Sequence, residues 1–241
     1  MIADRQFVVF EVASDIAHFR RQYAITTALT YVLPPRTALS GLVGAIIGLP
    51  KDQSLQHFTD EHAIFGVQIL EPIRTGHVSI NLLDTKGSPD FRPKRINPHT
   101  AMRYEIVRSP RYRIIFGHDT LGERLADMLR QGESHYTPCL GLAWMIAWLD
   151  GAQVLSGEHM SGNQEYQSSS SLVRVSDLQS GTDVQWNSDS VYQRIRMPAE
   201  MQPDRRVTRY EEYIIETTGR SVDARLKSYW KLADGTCFSA M

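Results

Sequence analysis

Between Ala17 and Arg36 the chain sets His18, Arg20, Arg21 and Arg36 among Phe19, Tyr23 and Tyr31, without one Asp or Glu. Guanidinium forks hold phosphates and aromatic faces stack unpaired bases, so this mixture suits single-stranded RNA. Plainer readings stand beside it. Phe19 could be a core side chain. His18 could touch RNA, could order the following loop as a hydrogen-bonded neutral imidazole, or could act as a general base. Arg20 and Arg36 are expected at the surface, because a guanidinium is costly to bury.

A second basic group lies between Lys86 and Arg113. Lys86, Arg92, Lys94, Arg95, Arg103, Arg108, Arg111 and Arg113 face only Asp90 and Glu105, a net of +6 in a protein of net charge −1. Pro89, Pro93 and Pro98 make Lys86 to His99 a loop or projecting hairpin, which could close over a phosphate backbone or simply be a solvated surface. A third group, Arg194, Arg196, Arg205, Arg206 and Arg209, is diluted by Glu200, Asp204, Glu211 and Glu212 and reads as ordinary surface or a partner contact.

The elements that must position these groups follow from periodicity. Phe7 to Val12 is a nearly unbroken apolar run, as in a strand covered on both faces. From Thr37, residues Leu39, Leu42, Val43, Ile46 and Ile47 share one helical face, and Gly48 and Pro50 stop the helix. Gly41 and Gly44 each cost that helix about 1 kcal/mol, so close packing should compensate. Val67 to Ile69, Val78 to Leu82 and Tyr112 to Phe116 read as strands. Asp119 is a candidate N-cap for a second helix closed by Gly132, and a last strand lies within Ala143 to Leu155.

This order predicts an α+β chain: a ferredoxin-like domain over residues 1–157, then a smaller β-rich part over 158–241. Ser168 to Ser171 reads as a flexible loop. Gly141, after Pro138, marks a turn where backbone approaches RNA or the first helix, or merely shapes the loop.

Composition narrows the function. With 241 residues and 42% hydrophobic content the chain can bury a real core, and 26 basic against 27 acidic residues exclude a uniformly basic nucleic-acid binder. Cys139 and Cys237 form neither a disulfide framework nor a zinc set. His57 and His62 lack the spacing of a helical zinc motif, no phosphate-binding Gly-rich loop occurs, and no metal or other cofactor is expected. No signal or membrane segment is read, so the protein is expected to be soluble and cytoplasmic.

Six short segments carry a family resemblance. Ala17-His18-Phe19-Arg20 is followed by Thr30-Tyr31 with Pro34-Pro35-Arg36-Thr37-Ala38-Leu39 and Gly41-Leu42-Val43-Gly44-Ala45-Ile46. Ser109-Pro110-Arg111-Tyr112-Arg113-Ile114 and Tyr136-Thr137-Pro138-Cys139-Leu140-Gly141 then come in order. Over roughly the first 150 residues this resembles the Cas-five family, the CRISPR-associated RAMP-superfamily subunit of type I Cascade complexes, closest to subtype I-B.

The resemblance implies an RRM-like fold with a projecting β-hairpin thumb, here about 86–103. It implies a subunit that binds the 5′ handle of the CRISPR RNA, caps the backbone filament and anchors the large subunit in antiviral defence. Its partners would be CRISPR RNA, the Cas-seven backbone subunit and the Cas-eight large subunit, with target DNA near the PAM left open. The RNA-binding residues expected are His18, Phe19, Arg20, Tyr23, Tyr31, Arg36, Lys94, Arg95, Arg103, Arg108 and Gly141.

Members of subtype I-C cleave repeat RNA, which needs a base for the 2′-hydroxyl proton and an acid for the leaving oxygen. His18, Tyr23, Tyr31 and Lys94 are the candidates. The Tyr with an adjacent Lys-His pair associated with cleavage has no match, since Arg95 follows Lys94. A non-enzymatic role is therefore expected, the alternative being a metal-independent endoribonuclease.

Overall fold

The computed structural model describes residues 4–22, 27–83 and 99–241. Phe7, Val8, Val9 and Phe10 are all buried, because the first strand, β1 (Arg5–Ala13), runs through the middle of the main sheet. Helices α1 (Arg36–Ile47) and α2 (Lys51–His57) follow, then strands β2 (Ala63–Ile69), β3 (Arg74–Leu83), β4 (His99–Arg108) and β5 (Arg111–His118). After α3 (Gly122–Arg130) come β6 (Trp148–Ser161), β7 (Gln167–Ser170), β8 (Leu172–Arg174), β9 (Tyr192–Met201) and β10 (Val207–Glu216). The last strands are β11 (Ser221–Ala224), β12 (Ser228–Leu232) and β13 (Cys237–Phe238). The expected α+β class is found, with sheet predominating.

Over residues 5–161 the sheet order is β6-β1-β5-β2, antiparallel at every step. Helices α1 and α3 cover the face reached by Val8, Phe10 and Val12. Phe7 and Val9 point the other way, onto Trp230, Leu232 and Phe238. Strand β6 carries the sheet onward through β12, β13, β7 and β11, so the boundary expected at 157/158 falls inside one strand. Among the described residues, β8, β10 and β9 form a separate sheet, as do Ile16–Ala17, β4 and β3.

Helix α1 forms where its periodicity requires. Leu39, Val43, Ile46 and Ile47 are fully buried, and at about 1.5–3 kcal/mol for each side chain this outweighs the penalty of two glycines. Gly48 ends the helix at φ +77°. The glycines differ in role. A Cβ on Gly44 would sit 2.8 Å from Ser54 Cβ, so Gly44 admits α2; at Gly41 it would meet nothing within 4 Å.

Two local expectations are corrected. Asp119 does not cap α3, whose N-terminus has no side-chain cap; its carboxylate pairs instead with Arg5 at 2.7 Å. Ser168 to Ser171 is not a flexible loop, because Ser168 to Ser170 lie in β7, paired to β11 and β13, and Ser169, Ser170 and Ser171 are buried. Ser169 Oγ donates to Leu172 O and accepts from Ser239 N, so the small hydroxyl is satisfied inside. Val78 to Leu82 is a strand as read, paired with Thr100 to Tyr104 outside the main sheet.

Candidate nucleic-acid interface

One groove of about 490 Å³ runs along the exposed side of α1. Its floor is small and apolar, with Ala38, Gly41, Leu42 and Ala45 of α1 beside Leu55 of α2. One wall is the segment His18 to Arg20 with Gln22; another is the Cys139–Leu142 turn. The third comes from far along the chain, with Pro198, Met201, Arg205 and Val207 at the tip of the β9–β10 hairpin. No Asp or Glu lines the groove, and Arg20 and Arg205 are exposed on it, neither in an ion pair among the described residues.

Local hydrogen bonds shape the first two walls. His18 Nδ1 lies 2.7 Å from the Glu105 carbonyl and donates to it, its backbone N–H donates to Leu140 O, and its ring packs edge-on against Tyr104. Burial is the main cause that holds the His18 imidazole below its ordinary pKa, with the Glu105 carbonyl opposing it, so the ring is neutral near pH 7. Glu105 Oε2 accepts Thr30 N, and Thr30 Oγ1 accepts Phe19 N. Thus β4 clamps both the 16–20 and 28–31 segments.

Gly141 closes this arrangement. It sits at φ +101°, and a Cβ there would overlap the His18 carbonyl oxygen. Gly141→Ala is expected to lower stability by at least about 2 kcal/mol, from positive-φ strain of about 1–3 kcal/mol plus the overlap. Urea unfolding measures it; an unchanged midpoint would show that the turn can move freely off His18.

The third wall is held by charge. Arg36 is 2% exposed, with Nη1 donating to Phe58 O at 2.6 Å, Nη2 to Ala63 O at 2.9 Å, and Nε 3.1 Å from Asp60 Oδ1. Desolvation lowers its pKa while Asp60 opposes the shift. Asp60 also pairs with Arg209, which pairs in turn with Glu200 and Glu211. Tyr210 reaches Gln22 by its hydroxyl. The hairpin is therefore tied over α1 from two sides.

These placements revise the expected site. Arg36 is a correction: it was expected to contact RNA, but its guanidinium is buried and committed to two carbonyls and a carboxylate. Phe19 is 4% and Tyr31 1% exposed, both within the main core, and His18 is 2% exposed, so these three form the wall's interior. Arg20 and Gly141 reach the groove surface. Arg103 and Arg108 are exposed on β4, outside the groove, with Arg108 lying across Gly76. Tyr23, Lys94, Arg95 and the tip of the expected thumb lie outside the described residues.

Sequence reasoning missed Arg205, Pro198 and Met201. Arg205 stands at φ +68° in a tight turn, where its N–H donates to Gln202 O. The only signal was its membership of a basic group whose carboxylates pair with other members: Arg194 with Glu212, Arg206 with Asp204, and Arg209 with Glu200 and Glu211. Among the described residues no cluster of three or more His, Cys, Asp or Glu is arranged to hold a metal, and no helix is long and apolar enough to cross a membrane.

Comparison with known proteins places this geometry. No curated protein matches the chain. A CRISPR protein from Archaeoglobus fulgidus has a similar fold over 96% of this chain and 98% of its own, at 10% identity and a TM-score of 0.57. A chain in the type III-B Cmr-beta assembly bound to cognate target RNA and AMPPnP is similar over 90% of this chain and 86% of its own, at 13% identity and a TM-score of 0.52. The family described as CRISPR-associated protein (Cas_Cas5) matches residues 7–212, a span that contains all three walls of the groove, and the chain belongs to this Cas-five family.

Proposed function

We propose that this chain is a non-catalytic subunit of a type I CRISPR effector complex and that the groove over α1 holds the 5′ handle of the CRISPR RNA. The carrying observation is the groove itself, which combines an apolar floor with two guanidiniums that, among the described residues, have no ion-pair partner and meet no carboxylate in the lining. Bases can lie on the Ala38–Gly41–Ala45 surface while Arg20 and Arg205 take phosphates. The N-terminal turn of α1, with Thr37 and no acidic residue, adds a partial positive charge at one end.

The finer family roles fit around this core. The β6-β1-β5-β2 order with helices after β1 and β5 supports a ferredoxin-like reading of residues 5–161. The β3–β4 pair would be the base of the thumb, with Arg103 and Arg108 extending the basic track. Capping of a Cas-seven filament and anchoring of a Cas-eight subunit belong to the same proposal. His18 is a poor general base, since Nε2, the nitrogen left basic when Nδ1 donates to Glu105 O, is buried.

The test is an effector complex isolated through a tag on this chain. In a variant combining Arg20→Ala and Arg205→Ala, RNA affinity should fall, and the slope of log affinity against log salt should shrink by about 1.4, or about 0.7 for each lost phosphate contact. An unchanged slope and full RNA occupancy would remove the groove from the RNA path.

A further inference from the structure

Away from the groove, the open face of the main sheet carries an apolar ridge. Ile146 and Trp148 are 51% and 55% exposed, while Met145 and Ala147 beside them are buried, so the two large side chains stand together on the outer face of one extended segment. Trp144, in the turn just before, is 50% exposed. Hydrogen bonds fix this segment: Ser14 Oγ donates to Ile146 O, and Ala147 N donates to Pro138 O. Trp148 is paired with Ala13, and Ala13 with Arg111, so all three share a face.

Charge decides what can cover this ridge. Two residues along the same strands, Glu11 is paired with Asp150. Two cations stand on this face: Arg111, whose guanidinium takes Glu11 at 2.7 Å, lies 3.8 Å from Glu71 and is acted on by Asp150, and Arg113, which stands opposite Glu11 and is taken by Asp234. Four carboxylates, Glu11, Glu71, Asp150 and Asp234, against two arginines leave a negative margin. Nucleic acid is disfavoured there, and a second copy of the chain would bring no surplus of basic groups on this face. Two half-exposed tryptophans are the side chains most often found as interface anchors.

We infer that the Trp144–Ile146–Trp148 ridge with its acidic margin is a docking site for a different protein chain that presents an apolar anchor flanked by Lys or Arg. The ridge supplies desolvated contact, and Glu11, Glu71 and Asp150 answer the flanking cations. The site lies outside the lining of the RNA groove, so the two can be broken separately.

The experiment uses the assembled complex with its RNA, isolated through a tag on this chain, and compares wild type with Trp148→Ser and Glu71→Arg. Trp148→Ser should lower recovery of one stoichiometric protein subunit at least tenfold while RNA occupancy holds. Glu71→Arg should release the same subunit at lower salt. Because Trp148 is more than half exposed, the melting temperature of the isolated chain should be unchanged, which separates lost docking from lost folding. Retention of every subunit in both variants would overturn the inference. Loss of RNA with all proteins retained would reassign the ridge to nucleic acid, and a Trp148-dependent dimer of the isolated chain would reassign it to a second copy; either result also refutes it.

Discussion

Gly41→Leu is expected to leave the chain folded and slightly more stable while weakening RNA binding at least about tenfold, or about 1.4 kcal/mol. The two effects have different causes. In an α-helix interior Leu is better than Gly by nearly 1 kcal/mol, and at Gly41 an added Cβ meets nothing within 4 Å, so no clash offsets the gain. For a domain of this size that corresponds to about 2–4 °C in melting temperature. The same side chain would stand up from the groove floor between Ala38 and Ala45, where the proposal seats a base.

Gly44→Leu is the contrasting variant. Its Cβ would sit 2.8 Å from Ser54 Cβ, so it should destabilise the α1–α2 contact. Thermal unfolding and RNA titration of both proteins separate the roles. A stable Gly41→Leu protein that retains wild-type RNA affinity would place the RNA elsewhere, most directly along the β4 arginines.

Some of this was legible in residue types alone. The apolar run Phe7 to Phe10 and the three-to-four spacing of Leu39, Val43 and Ile46 identify the central strand and first helix, because burial there follows local periodicity. The candidate groove was legible only in part. Its His18–Arg20 wall and Gly141 belong to local motifs, whereas Pro198, Met201 and Arg205 arrive from more than 150 residues beyond α1. No local pattern announces that the hairpin will fold over the helix. The serine run at 168–171 misled for a related reason: small polar side chains look like loop, yet here Leu172 O and Ser239 N satisfy Ser169 and let the strand enter the core.

The misreading of Arg36 is the most instructive, and it leads to the second large effect. A guanidinium is expensive to bury without partners, and those of Arg36, Phe58 O, Asp60 and Ala63 O, lie more than 20 residues away, in the turn after α2 and at the start of β2. Arg36→Met should therefore destabilise the chain by about 3 kcal/mol, because two buried carbonyls lose their donors and Asp60 keeps only Arg209. Arg36→Lys should recover little, since one ammonium cannot reproduce a fork that bridges both carbonyls and the carboxylate. Urea unfolding at 25 °C measures both losses. Below the transition, the molecules that remain folded should bind RNA with affinity near wild type, because the Arg36 side chain is buried and Arg209 still ties Asp60 to Glu200 and Glu211 of the groove's third wall. Loss of RNA binding with an unchanged unfolding midpoint would reverse this assignment and return Arg36 to the RNA surface.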